Sequence, residues 1–252
     1  MKNYFFILLL LYYSLSTKAQ NFIELANGEW APFLSQNLPY FGFASHIVTE
    51  AFAEEGIHTQ YLFLPWGRAE HDVRTGKVSG SVVWMKTPER EKFAWFSKPV
   101  MSLGEVLYYR RDKQLNWKEF SDLYGLRFAI PLGSTLGGWH EHEGNDKIKF
   151  IRAKDIKHSL LLLLKQRVDG FPYNKMVADH VLRTEFPLEK DLLTHSEKII
   201  SKNIYRLMLS KKRSSNKKIL MKFNKGLDTL MHSEKYRKMI ESYNNGEYDS
   251  IK

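Results

Sequence analysis

Residues Gly76–Val100 read GKVSGSVVWMKTPEREKFAWFSKPV and contain the most informative pattern in this chain. The run Val78–Trp84 contains Val78, Val82, Val83 and Trp84, which predicts a strand. Thr87 is a favourable N-cap and Pro88 suits the first helical position, so a short helix should follow. Arg90 then lies in the first turn of that helix, where it is held firmly.

On either side of this stretch, predicted strands alternate with short helices. Strands are predicted at 22–26, 57–64, 78–84, 105–110, 126–130, 168–171 and 205–209. Helices are predicted from a cap at Ser45, over 66–76 and 117–123, from Asp155 with Leu160, Leu161, Leu163 and Leu164 inward, over 176–182, and along 219–231. This alternation favours mostly parallel sheets flanked by helices, so the predicted class is α/β.

The alternation restarts near residue 105, which indicates two α/β lobes of about ninety residues each. We expect the first lobe to comprise residues 20–106 and 200–252, and the second to comprise residues 107–199. The chain would cross between the lobes at two strands, near 104–111 and near 197–205.

Residues 1–19 have the layout of a secretory signal peptide, with Lys2, an apolar run over 4–13 and a cleavage site after Ala19. The alternative, a membrane anchor, fits poorly because the run holds about ten residues and a span needs about twenty. The chain has no cysteine, so no disulfide and no lipid-carrying thiol is expected. We expect a soluble, monomeric mature protein in the periplasm.

The formal net charge is +10, and removal of Lys2 and Lys18 with the signal peptide lowers it to +8. A basic surface can attract nucleic acid, anionic lipid or an acidic solute. The charges are scattered, and the densest group, at 211–218, lies where a strand gives way to a helix. We interpret it as a solvated face, and export argues against a nucleic-acid partner.

The motifs resemble those of the small type II periplasmic solute-binding proteins, family 3, whose members bind polar amino acids for ABC importers. The resemblance rests on Gly76–Gly80, Thr87–Lys92, Phe96–Val100, Leu123–Arg127, Leu132–Thr135 and Lys165–Gly170. It implies two lobes that close over a small-molecule solute in the cleft between them. It also implies an ABC transporter membrane component as a partner, and no cofactor.

The resemblance implies that Arg90, supported by Thr87, clamps a ligand carboxylate, for which a guanidinium offers a matching fork of donors. The loop containing Ser134 and Thr135 precedes a predicted helix, so its free N–H groups could meet the same anion from the second lobe. The alternatives are a surface arginine and an ordinary turn with a cap.

Two positions depart from the amino-acid binders. The family commonly has an acidic residue shortly after the pair Gly42-Phe43, where this chain has none before His46. It also has an aspartate, which holds the ligand's ammonium group, where this chain has Asn174. A neutral amide cannot balance a buried ammonium, so an anion or a carboxylate without the amine is the expected ligand.

Trp30, Trp66 and Trp84 fall at the ends of first-lobe strands, where α/β ligand sites gather. A cleft lined by them would suit a flat, sugar-like or aromatic solute, although each tryptophan alone is more often a core residue. Glu29 and Arg68 lie beside two of them and are further candidates.

Other chemistry has weaker support in the sequence. In a helix, His140 and His142 would point to different faces, which argues against a metal site. There is no cysteine nucleophile, Gly-x-Ser-x-Gly elbow or phosphate loop. An enzyme of the dehydratase kind would need an acid and a base, for which Glu24, Glu29 or His46 could serve. A ligand-sensing partner of a membrane receptor is a further alternative, and we expect no catalysis.

Overall fold

The computed structural model describes residues 21–113, 115–132, 134, 139 and 147–249. The strands are β1 (Phe22–Asn27), β2 (His58–Phe63), β3 (Gly80–Met85), β4 (Ala94–Arg110), β5 (Arg127–Pro131), β6 (Lys149–Ala153), β7 (Phe171–Asn174), β8 (Leu193–His195) and β9 (Ser201–Ser210). The helices are α1 (Phe43–Ala53), α2 (Trp66–Thr75), α3 (Pro88–Glu91), α4 (Ile156–Leu164), α5 (Lys175–Glu185), α6 (Asn216–Met231) and α7 (Glu234–Asn244). Across the ranges given above, no helix is long and apolar enough to cross a membrane.

A seven-stranded sheet has the order β2-β1-β3-β9-β4-β7, and β8 also pairs with β4. Its first three strands are parallel, whereas β9 is antiparallel to both β3 and β4. Strands β5 and β6 form a separate parallel pair, and a bridge between Phe128 and Gly170 joins β5 to the start of β7. The α/β class is therefore confirmed, and the antiparallel pairs are concentrated on β4 and β9.

Strand β4 is 17 residues long and pairs with β9 from Ala94 opposite Ser210 to Glu105 opposite Ser201. The sequence predicted only its last third, because Pro99 interrupts the strand pattern and cannot donate to a ladder. The structure accommodates Pro99 at a register shift of the β4–β9 ladder. Strands β4 and β9 thus form one long antiparallel ladder within the sheet.

Hydrophobic residues form separate cores in the two lobes. In the first lobe α1 packs on α6, and the rings of Phe52 and Phe223 lie 4.8 Å apart. In the second lobe Leu163 and Phe171 are fully buried between α4 and β7. Val177 of α5 packs in the first-lobe core, so the two lobes share an apolar contact. The residue ranges assigned to the lobes stay a prediction.

Two details of the predicted helices were wrong. Helix α1 begins at Phe43, so Ser45 is not its cap; Ser45 is buried and accepts a hydrogen bond from Asn27 Nδ2 at 2.8 Å. In α4, Leu161 is 38% exposed and Leu162 is 8% exposed, so the buried face is rotated by one residue. Tertiary contacts decide where α1 begins and which face of α4 is buried, and a local sequence pattern does not contain those contacts.

Candidate functional site

A cavity of about 660 Å³ lies between the two lobes. Residues at the ends of β1 and β3 and the start of α2 and α3 form one wall, and residues after β5 and β6 form the opposite wall. Seven of the residues selected from the sequence line it: Glu29, Trp30, Trp66, Trp84, Arg90, Ser134 and Asn174. The topology therefore brings together residues that are up to 145 positions apart in the chain.

The first-lobe wall is aromatic and firmly held. Trp66 and Trp84 meet edge to face with ring centroids 5.3 Å apart, and Trp84 donates from Nε1 to Ser81 Oγ at 2.7 Å. Gly28 lies directly under Trp66, where an added Cβ would come within 2.5 Å of the ring, so a side chain at this position would displace Trp66. The wall is thus a rigid apolar surface of the kind that accepts a flat solute.

Hydrogen bonds from both the backbone amide and the guanidinium hold Arg90 in position. Thr87 caps α3, as predicted, by accepting from the Arg90 amide at 3.3 Å, although Thr87 is not part of the cavity wall. The guanidinium donates to Met85 O at 3.2 Å and to Glu70 Oε2 at 3.3 Å, and it lies 4.6 Å from the Trp84 ring. Glu70 therefore balances much of the charge of Arg90, a contact that the sequence did not indicate.

Tyr173 of β7 links the two walls. Burial raises its pKa to about 12, while hydrogen bonding by Trp30 and Ser134 acts in the opposite direction. Trp30 belongs to the first wall and Ser134 to the second, so the tyrosine hydroxyl is a polar contact shared across the cleft. Thr135, the other predicted residue of this loop, lies outside the described residues.

Asn174 is 4% exposed and caps α5. Its Oδ1 accepts from the Val177 amide at 3.2 Å, and its Nδ2 donates to Gly104 O at 3.0 Å. Both ends of the amide therefore bond to backbone, which ties β7 to β4 and to the start of α5. This arrangement explains why an amide serves at this position, since a carboxylate could not donate to the Gly104 carbonyl.

Glu105 also lines the cavity, although the sequence pattern marks it only as the first residue of a predicted strand. Its Oε2 accepts from Ser201 Oγ at 2.8 Å and its Oε1 accepts from Asn203 Nδ2 at 2.7 Å. Burial raises the pKa of this carboxyl, and the two hydrogen bonds only partly oppose that effect. Its neighbours in sequence give no sign of a binding role, because its place at the cavity depends on the register of β4 with β7 and β9.

The remaining candidates fall into different surroundings. Glu29 is exposed at the cavity and accepts from the Gln36 amide at 3.1 Å. Arg68 does not line the cavity and pairs with Asp72 at 2.8 Å. His46 does not line the cavity, and its ring stacks on that of Tyr40 with the ring centroids 3.9 Å apart. Burial lowers the pKa of His46.

Of the residues considered as an acid or a base, Glu29 lines the cavity, whereas His46 does not. Glu24 is likewise not a cavity residue. Among the residues described, no group of three or more histidines and acids could hold a metal ion. His140 and His142, which the sequence had raised as ligands, lie outside that set.

Several solved structures share this fold. The P235GK mutant of ArgBP from T. maritima is 23% identical with a TM-score of 0.72, covering 90% of this chain and 97% of that one. The GluR0 ligand-binding core from Nostoc punctiforme, in complex with L-glutamate, is 20% identical with a TM-score of 0.70, covering 88% and 98%. A histidine kinase sensor domain with similarity to periplasmic binding proteins is 15% identical with a TM-score of 0.74, covering 89% and 96%.

These likenesses establish the two-lobed periplasmic-binding fold, which confirms the architecture expected from the sequence. No curated protein matches the chain. The family of bacterial extracellular solute-binding proteins, family 3, matches residues 25–246. The match covers most of the chain, and the chain therefore belongs to the bacterial extracellular solute-binding proteins, family 3.

Proposed function

We propose that this protein is exported, binds one small solute between its lobes and presents the closed, loaded form to an ABC-type importer. Membership of the solute-binding family supports the binding role. The observation that carries the proposal is the cavity of about 660 Å³, because residues of both lobes line it. A solute that touches both walls stabilises the closed state through its differential affinity for that state.

The proposed solute has a flat apolar part and a carboxylate. Trp66 and Trp84 supply a rigid surface for the flat part. Within the described residues, two of the five N–H donors of Arg90 make hydrogen bonds, one from each terminal nitrogen. The other donors would bind the carboxylate, and Ser134 would approach it from the second lobe.

The cellular setting is part of the same proposal. The signal peptide over residues 1–19 would direct the protein to the periplasm, where it would act as a monomer without a lipid anchor. The lobes would comprise residues 20–106 with 200–252, and residues 107–199. Rotation of the lobes relative to each other about β4 and β9 would open and close the cavity. The importer would recognise the closed form.

The test is a thermal-shift and calorimetric screen of the mature protein against amino acids, carboxylic acids, sugars and aromatic compounds. A ligand at a hundred times its dissociation constant adds about 2.7 kcal/mol to the free energy of unfolding, which a melting curve detects. Recovery of the compound unchanged would support a binding protein, whereas its conversion would favour the dehydratase-like alternative. A panel without any stabilising compound would count against solute binding.

Arg90→Ala and Arg74→Ala form a matched pair for the carboxylate assignment. Both arginines pair with Glu70 and both lie over an aromatic ring, but only Arg90 lines the cavity. We expect Arg90→Ala to weaken binding of an aromatic carboxylate such as 3-phenylpropionate about thirtyfold or more, as for a lost buried charge pair. Arg74→Ala should bind as the wild type does, and unchanged affinity in Arg90→Ala would refute the assignment.

A further inference from the structure

We propose that Glu105 is a ligand-binding residue that receives a protonated amine of the solute. The inference rests on the proposed function, because it concerns the same cavity. Glu105 lies on β4, at the last pair of the β4–β9 ladder. Glu105 lines the cavity together with residues of both walls.

The strand register places Glu105 beside Asn174. Glu105 is directly opposite Asn174 of β7 on one side and directly opposite Ser201 of β9 on the other. Directly opposite residues of antiparallel strands project their side chains from the same face, with Cβ atoms about 5 Å apart. Glu105 therefore supplies a negative charge one strand away from the neutral amide at position 174.

The hydrogen bonds of Glu105 leave room for a ligand. Ser201 and Asn203 are neutral donors and each occupies one carboxylate oxygen. A carboxylate has about four lone-pair positions, so each oxygen retains one. Within the part of the chain that the structure describes, no lysine, arginine or histidine forms an ion pair with Glu105. The protein thus holds this carboxylate with neutral groups only.

Aromatic rings surround the same carboxylate. Tyr173 and Tyr205 are close enough for the charge of Glu105 to raise the pKa of both hydroxyls, after the larger effect of burial. The ring of Trp30 lies 5.0 Å from that of Tyr205, and all four residues line the cavity. A carboxylate flanked by aromatic faces attracts an ammonium group through charge pairing and cation–π contact.

Burial provides a further argument for a cationic ligand. It raises the pKa of Glu105, which means that the ionised form lacks sufficient compensation in the unliganded protein. An ammonium group at the retained lone pairs would supply that compensation. A carboxylate group of a ligand at the same place would add a second negative charge. Glu105 therefore favours an ammonium group over a carboxylate group at this position.

The test uses two probes that share a phenyl ring, 2-phenylethylamine and 3-phenylpropionate, in titration calorimetry. We expect Glu105→Gln to weaken binding of 2-phenylethylamine about thirtyfold or more, and to leave binding of 3-phenylpropionate within about threefold. Asp169→Asn is the matched control, since it removes a carboxylate outside the cavity, and it should change neither affinity. Glu105→Asp keeps the charge and should recover part of the amine binding.

Two results would overturn the inference. One is equal affinity of Glu105→Gln and the wild type for 2-phenylethylamine, with the variant shown to be folded by circular dichroism. The other is the absence of amine binding to the wild type at millimolar concentration. If 3-phenylpropionate still binds and depends on Arg90, the proposed function survives either result, so the two failures are distinguishable.

Discussion

Two carboxylates are held in opposite ways, Glu105 at the cavity and Asp169 before β7. Asp169 accepts from the backbone N and Nε of Arg127 at 2.9 and 3.0 Å and from its second terminal nitrogen at 3.1 Å, and these bonds lower its pKa. Glu105 receives bonds only from Ser201 and Asn203, and burial raises its pKa. Asp169 therefore has a cationic partner within the protein, whereas the described residues offer Glu105 only neutral donors.

The largest expected effect comes from Trp30→Ala, which removes the aromatic ring beside the Glu105 site. Trp30 is 9% exposed, and truncation of a buried tryptophan costs about 3–5 kcal/mol of unfolding free energy. Water would enter and bring the pKa of Glu105 back towards its ordinary value. Urea unfolding measures the loss, and Trp117→Ala, at a partly exposed tryptophan covered by Lys198, should lose less. Equal losses would contradict the picture of a packed cavity wall.

Asp169→Asn should have an intermediate effect on stability at neutral pH. It removes the charge-assisted bonds with Arg127, but the Arg127 side chain is 41% exposed, so solvent screening reduces the loss to about 1–2 kcal/mol. Glu105→Gln should cause no comparable loss at pH 7, because it removes an unbalanced charge. The urea midpoints of both variants measure these two losses of stability. A larger loss in Glu105→Gln than in Asp169→Asn would contradict the expected difference.

The smallest expected effect is the opposite pH dependence of the two sites. The pKa of Glu105 is raised above its ordinary value of 4.5. The stability that this group contributes is therefore fully present below pH 4.5 and is lost as the pH rises through the raised pKa. Asp169, whose pKa is lowered, contributes stability that is present above 3.8 and is lost as pH falls through the lowered pKa. Tyr173 and Tyr205 stay neutral in this range, because even the ordinary tyrosine pKa of 10.0 lies well above it.

Urea midpoints between about pH 3 and 7 measure this difference. Glu105→Gln should gain stability relative to the wild type as pH rises above 4.5. Asp169→Asn should lose stability relative to the wild type as pH rises above the lowered pKa. Parallel curves for the two variants would mean that both carboxylates are balanced in the same way.

Local patterns predicted the features that neighbouring residues control. Thr87 caps α3, and α2 ends at Gly76, whose φ of 79° favours glycine over residues with a side chain. The alternation of apolar runs and helices predicted the α/β class, and the motifs within Gly76–Val100 predicted the family. These signals depend on backbone preference and burial period, which are written into adjacent residues.

Features that depend on distant partners were not predictable in the same way. The first two thirds of β4 were not predicted as a strand, since Pro99 interrupts the local pattern and pairing with β9 holds that segment extended. The partner of Arg90, Glu70, is 20 residues away and comes from another helix. Glu105 carries no local sign of a binding role, since its position opposite Asn174 depends on the register of β4 and β7.

The sequence by itself determined the class of fold, the family and the small set of aromatic and charged residues at strand ends. It could do so because caps, periodicity and motif spacing act over a few residues. The tertiary structure alone placed Trp30, Arg90 and Asn174 around one cavity and added Glu105 to them. The physical reason is that strand register and lobe contact join residues far apart in the chain, and burial then sets the charge balance at each site.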